Sequence, residues 1–193
     1  MTDRPMEVRR WPRAGELPEA QKLALSAMLV ALGVVLGALS IPVGPARVAP
    51  SQHFINVVAG ILLGPWYAVL TAIGISVIRN ALGTGTLLAF PGSIFGAFLV
   101  GVAYRRLRRP EAAFAEPIGT AIIGALAGYA LIAGLDATTY VLGFMRASPP
   151  SPQPYLGIFG GPFALVASFA VSSIPGSTLG YLAILALRRA GVR

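Results

Sequence analysis

The chain contains no cysteine, which excludes a disulfide framework and any thiolate metal site. Its one histidine, His53, rules out an HExxH metal site. No GxxxxGK[ST] phosphate loop occurs, so the chain cannot hydrolyse ATP by the P-loop route. The GxSxG nucleophile elbow is missing too, and no Ser–His catalytic constellation replaces it. Charge is scarce: 11% of residues are charged, against about 25% in an ordinary soluble domain. Only one carboxylate, Asp136, is expected deep within an apolar run, so a paired-acid catalytic site is not expected either.

What is present is apolar. Hydrophobic residues make up 55% of the 193 positions, and the mean hydropathy is +0.74. A chain this short has too much surface for its volume to hide so many apolar side chains from water. A bilayer supplies the other solvent. No charged residue lies between Lys22 and Arg47, between Arg47 and Arg79, or between Arg79 and Arg105. Each stretch reaches the roughly 20 residues that a spanning helix needs. The fold class is therefore an all-α integral membrane protein. The net charge of +8 sits at the edges of apolar runs, which marks topology rather than nucleic-acid binding. Met1 to Gln21 is long and mixed in charge, and reads as a basic N-terminal segment rather than a signal peptide.

The membrane domain then covers 22–193, with spans expected at about 23–41, 52–63, 65–79, 88–104, 117–144 and 159–187. Pro42 and Gly44 end the first, and Pro175 is expected to kink the last. The run from Phe54 to Ile78 is long for one helix and short for two. Gly64-Pro65 divides it, because proline disfavours helix in the residue before it. Charge supports the division. Arginines cluster at Arg4, Arg9, Arg10 and Arg13, at Arg105, Arg106, Arg108 and Arg109, and at Arg188, Arg189 and Arg193. Only the six-helix count puts all three clusters on the cytoplasmic side, with both termini inside. The Pro-rich segment 147–157 becomes an external loop, either a passive linker or a lid. No internal repeat is found, so a transporter of inverted halves is not supported.

Polar groups inside apolar runs are costly and point to function. Gln52, His53 and Asn56 open the second span. Arg79 and Asn80 close the third, and Asp136 lies in the fifth with Thr139 and Tyr140 beside it. By this topology all fall in the outer half and suggest a pocket open to the outside. Other readings stand beside it: Arg79 snorkels to the interface or pairs with Asp136, and His53 is an interfacial histidine with a backbone partner. Asn80 to Ala97 is interrupted by Gly83, Gly85, Pro91 and Gly92. It is an ordinary outer turn, or an irregular stretch that gives N–H groups and the Thr84 and Thr86 hydroxyls to a ligand. In the first span, Ala27 and Ala31 form one small-xxx-small pair, and Gly33 and Gly37 another; such faces let helices approach closely, within the bundle or outside it.

The run from Gln52 to Ala97 resembles the ThiW family, substrate-binding S components of energy-coupling factor transporters. The matching pieces are Gln52-His53-Phe54 with Asn56, Leu63 to Ala68, Arg79-Asn80 with Gly83 to Thr86, and Ala89 to Ser93 with Gly96-Ala97. The resemblance implies a six-helix bundle in the bacterial or archaeal cytoplasmic membrane. It implies high-affinity binding of a vitamin precursor, here hydroxyethylthiazole, the thiazole part of thiamine. It also implies no ATPase or cofactor of its own, and docking through Ala27 and Ala31 on a transmembrane coupling subunit that carries a pair of ABC-type ATPases. Phe54, Phe90 and Tyr140 would wall such a ligand, and His53, Asn56, Asn80 and Thr139 would bond its nitrogen and hydroxyl, with Arg79 and Asp136 orienting them. Two other classes stay open: a self-sufficient carrier coupled to protons through Asp136 or His53, and, with poorer support, a membrane enzyme acting on lipid.

Overall fold

Gly64 and Pro65 divide the ambiguous run at the expected place. Helix α2 (Pro50–Leu63) stops before Gly64, and α3 (Pro65–Ala81) starts on Pro65. Gly64 has φ +87°, a conformation that glycine reaches without the penalty a Cβ would bring. The computed structural model describes residues 17–43, 46–134 and 161–190. The other helices are α1 (Glu19–Gly37), α4 (Pro91–Leu107), α5 and α6 (Gly161–Arg189). Helix α5 is composite: a 3-10 start at Pro110–Phe114, one α turn at Ala115–Pro117, a π stretch at Ile118–Gly124 and an α-helical end at Ala125–Gly134. Six helices are thus present among the described residues, as the sequence indicates. Helices α2, α3 and α4 and the 3-10 start of α5 each begin on a proline, whose missing N–H costs nothing at a first turn.

Two boundaries differ from expectation. Helix α1 ends at Gly37, not near Ile41. The chain then pairs Ile41–Val43 (β1) with Ala46–Val48 (β2) in a two-stranded antiparallel ribbon, Pro42 opposite Arg47. The fifth helix starts at Pro110 rather than Pro117, which has consequences at the site. Pro175 lies within α6 without ending it. The Pro-rich segment 147–157 lies outside the described residues.

Helix α2 is the axis of the bundle. Ten of its fourteen residues are buried, and it packs against α1, α3, α4 and α6. Small residues permit this crowding. A Cβ on Gly60 would lie 2.7 Å from Val100 of α4, and one on Gly180 would lie 2.7 Å from Val57 of α2. Val57, Ile61, Val100, Tyr104, Ala113 and Ile184 form the main apolar core. The bundle is apolar outside as well. Leu23, Met28, Leu32 and Val35 on α1 are exposed, as are Ile118, Ile122 and Leu126 on α5 and Ile174, Leu179 and Leu182 on α6. Such a surface fits lipid, not water. Among the described residues, four helical stretches are long and apolar enough to cross a membrane: Glu19–Gly37, Leu87–Leu107, Pro110–Leu131 and Leu165–Arg189. At 1.5 Å per residue α2 is only about 21 Å long, short of a hydrocarbon core of about 30 Å. It is held at membrane depth by the longer helices around it.

Candidate functional site

Inside this apolar shell lies a connected polar network, built from one turn of each of several helices. At the start of α2, Gln52 and Asn56 are four residues apart and His53 and Asn56 three, so all three share a face. All three are buried. The end of α3 supplies Ser76, Arg79 and Asn80, and the start of α4 supplies Ser93.

At one end of the network, Arg79 ties three segments together. Its Nη1 donates to Gln52 Oε1 on α2, and its Nη2 donates to Gly37 O at the end of α1 (3.3 Å) and to Thr84 O in the following loop (3.1 Å). Asn80 Nδ2 donates to Ser76 O (2.7 Å) and to Thr86 O (3.1 Å). The backbone N–H groups of Thr84 and Gly85 both return to Arg79 O at 2.9 Å. Gly85 lies so close that a Cβ there would sit 2.9 Å from Asn80 N. The loop from Gly83 to Thr86 is therefore folded back onto α3. The Thr84 hydroxyl donates to Arg79 O at 3.3 Å, and Phe90 is half-buried where α4 begins.

Gln52 carries the network inward. Its Nε2 donates to Ser93 Oγ (3.0 Å), and Ser93 O accepts from Asn56 Nδ2 (3.3 Å). Asn56 Nδ2 also donates to Glu116 Oε1 at 3.0 Å. Glu116 is the hub. Oε1 further accepts from Thr120 Oγ1 at 2.7 Å and lies 2.7 Å from His53 Nδ1, while Oε2 accepts from Ser177 Oγ at 2.9 Å. Its carboxyl group is 0% exposed. A carboxyl group so deep in an apolar bundle is tolerable only with such partners. Glycines make room for it. A Cβ on Gly96 of α4 would fall 2.5 Å from Glu116 Oε1, and one on Gly176 of α6 would fall 2.3 Å from Pro50 O.

The hub corrects one expectation and decides against one of the alternative readings. Asp136 is expected to be the only carboxylate deep in an apolar run, yet Glu116 is fully buried in the bundle. The partner of His53 is this carboxylate, not the backbone. Glu116 escapes the sequence reading because it closely follows Arg105 to Arg109 and precedes Pro117, which resembles an interface. With α5 starting at Pro110, residue 116 is already inside the bundle. Its one visible signal is Thr120, four residues on and so on the same helix face. The π stretch that begins at Ile118 lies directly beside it, and π segments recur at functional sites. Ser93 and Ser177 carry no sequence signal, since single serines are ordinary in apolar helices.

The structure thus brings together Gln52, His53, Asn56, Arg79, Asn80 and the carbonyls of Thr84 and Thr86. Asp136, Thr139 and Tyr140 lie outside the described residues. Ala27 and Ala31 are elsewhere, exposed on the outer face of α1, whereas Gly33 and Gly37 of the same helix are buried against Ile75 and Arg79 of α3.

A bundle with an apolar exterior and a buried polar network is that of a multi-pass membrane protein. A family model described as thiamine-precursor transporter protein (ThiW) matches residues 23–190. The chain belongs to this family, and it is a membrane transport protein for a thiamine precursor. No curated protein and no solved structure matches the chain.

Proposed function

We propose that this chain is the substrate-binding subunit of an energy-coupling factor importer, and that its cargo is hydroxyethylthiazole. The observation that carries the reading is the polar network centred on Glu116 and Arg79, enclosed by helices of a thiamine-precursor transporter family. Hydroxyethylthiazole is small and aromatic, with one ring nitrogen and one hydroxyl. A site for it needs apolar walls and a few oriented polar groups. Gln52, His53, Asn56 and Asn80 offer such groups, with Phe54 and Phe90 half-buried nearby in sequence. Asp136, Thr139, Tyr140, Thr84 and Thr86 complete the proposed binding set, and Arg79 orients it.

In the proposed topology both termini are cytoplasmic, which puts Arg105 to Arg109 and Arg188 inside. The start of α2 and the 83–86 loop then face outward, where a scavenging receptor meets its ligand. The membrane is a bacterial or archaeal cytoplasmic membrane. In this reading energy comes from a coupling subunit with two ABC-type ATPases. Ala27 and Ala31 support a docking face, because they point away from the bundle and offer a small-residue stripe for close helix approach.

One observation favours a second reading. The buried His53–Glu116 pair is of the kind proton-coupled carriers use. Reconstitution distinguishes the two. Uptake of labelled thiazole that requires the coupling subunit, both ATPases and ATP supports the first. Uptake by this chain alone, abolished by an uncoupler, supports the second and overturns the first.

A further inference from the structure

His53 and Asn56 are each able to present more than one hydrogen-bonding character. An imidazole nitrogen donates or accepts according to tautomer, and a primary amide does so according to which way it is turned. Both are tethered to the same oxygen, Glu116 Oε1, from adjacent turns of α2. In its ionised form Glu116 only accepts, and so it dictates what each partner directs at it. It takes the amide nitrogen of Asn56, because the reversed amide would set oxygen against oxygen. It takes a proton on His53 Nδ1 for the same reason. Thr120 donates to the same oxygen and Ser177 to Oε2, so four side chains already face this one carboxyl group.

The atoms left over are therefore fixed in kind. Asn56 is 1% exposed, and its Oδ1 has no hydrogen-bond partner. A buried acceptor without a donor is costly and rare in native structures. The other ring nitrogen of His53, Nε2, is likewise outside the Glu116 contact, one helical turn from Asn56. We infer that Glu116 is a positioning residue that sets the polarity of the site, so that Asn56 Oδ1 and His53 Nε2 face the ligand only as acceptors and one of them takes its hydroxyl proton. The ligand class selected is a small molecule carrying a hydroxyl or N–H donor. A methylated analogue of the same shape is rejected, because it leaves the acceptors unmatched. The inference rests on the reading of this network as the ligand site.

Because His53 is the only histidine in the sequence, one experiment reads its state without any ligand. In protein labelled with 15N-histidine, NMR at neutral pH is expected to show Nδ1 protonated and Nε2 bare. Glu116→Leu, which removes the acceptor, is expected to move the proton to Nε2. Glu116→Gln keeps a carbonyl oxygen and is expected to restore the wild-type pattern. Calorimetry then compares hydroxyethylthiazole with its O-methyl ether. The wild type is expected to prefer the alcohol about tenfold or more, the scale of one unmatched buried group. Glu116→Leu is expected to lose that preference, and Glu116→Gln to keep it. A wild-type spectrum with Nε2 protonated overturns the inference, even if no variant folds. So does an alcohol preference that Glu116→Leu leaves unchanged. Failure of both compounds to bind the wild type overturns the proposed cargo instead, and the spectrum still decides the role of Glu116.

Discussion

Gly176 tests whether close helix approach builds the site. It lies on α6 next to Ser177, where that helix crosses the start of α2. A Cβ at this position would sit 2.3 Å from Pro50 O and 2.7 Å from His53 Cβ. The nearer neighbour is backbone and cannot rotate away. Restoring an ordinary contact requires the two helices to part by about 1 Å, and overpacking of this kind costs about 1–3 kcal/mol. The same movement stretches the 2.9 Å bond from Ser177 to Glu116, and hydrogen bonds between membrane helices are worth about 0.6 kcal/mol on average. Alanine returns at most about 1 kcal/mol through its better helix propensity. Gly176→Ala is therefore expected to destabilise the protein by about 1–2 kcal/mol. Gly74→Ala is the control. Its added Cβ would meet the Val30 side chain at 3.0 Å, so the neighbour yields and the change is expected to be near neutral. Reversible unfolding in mixed detergent micelles measures both. Equal stability of Gly176→Ala and wild type, or equal losses in the two variants, would refute the reasoning.

Glu116→Ala strands four polar partners and is expected to cost about 3 kcal/mol or more, since each buried group left unsatisfied costs about 1–3 kcal/mol. Equilibrium unfolding in detergent checks this, and a loss below 1 kcal/mol would remove Glu116 as the hub. Arg79→Ala is expected to release the 83–86 loop from α1 and α2, and faster hydrogen exchange at Thr84 and Gly85 would report it. Ala27→Leu or Ala31→Leu is expected to block uptake while leaving ligand binding intact. Equal loss of both activities would mean that this face does not serve docking.

The fold was largely legible where the sequence carries backbone punctuation. Gly64-Pro65 split α2 from α3 because a positive φ and a missing N–H stop a helix whatever surrounds it. The two small-residue pairs of α1 look alike in sequence yet serve different faces, since Gly33 lies six residues, or about 600° of turn, from Ala27. The site was legible on one side only. Gln52, His53, Asn56 and Arg79 stand out because polar groups are rare in their runs. Glu116 was hidden by its neighbours: the arginine cluster and Pro117 mark an interface, while the 3-10 start at Pro110 carries the chain into the bundle earlier than hydropathy indicates. The ribbon at Ile41–Val48 was missed because three residues per strand are too few to show an alternating pattern.

In the proposed function this chain binds a thiamine precursor by itself. Calorimetry on the purified protein in detergent, without ATP or any partner subunit, tests it most directly. Hydroxyethylthiazole is predicted to bind one to one, more tightly than thiamine, with binding lost in Asn56→Leu. Absence of binding by hydroxyethylthiazole, thiamine and related precursors would contradict the account.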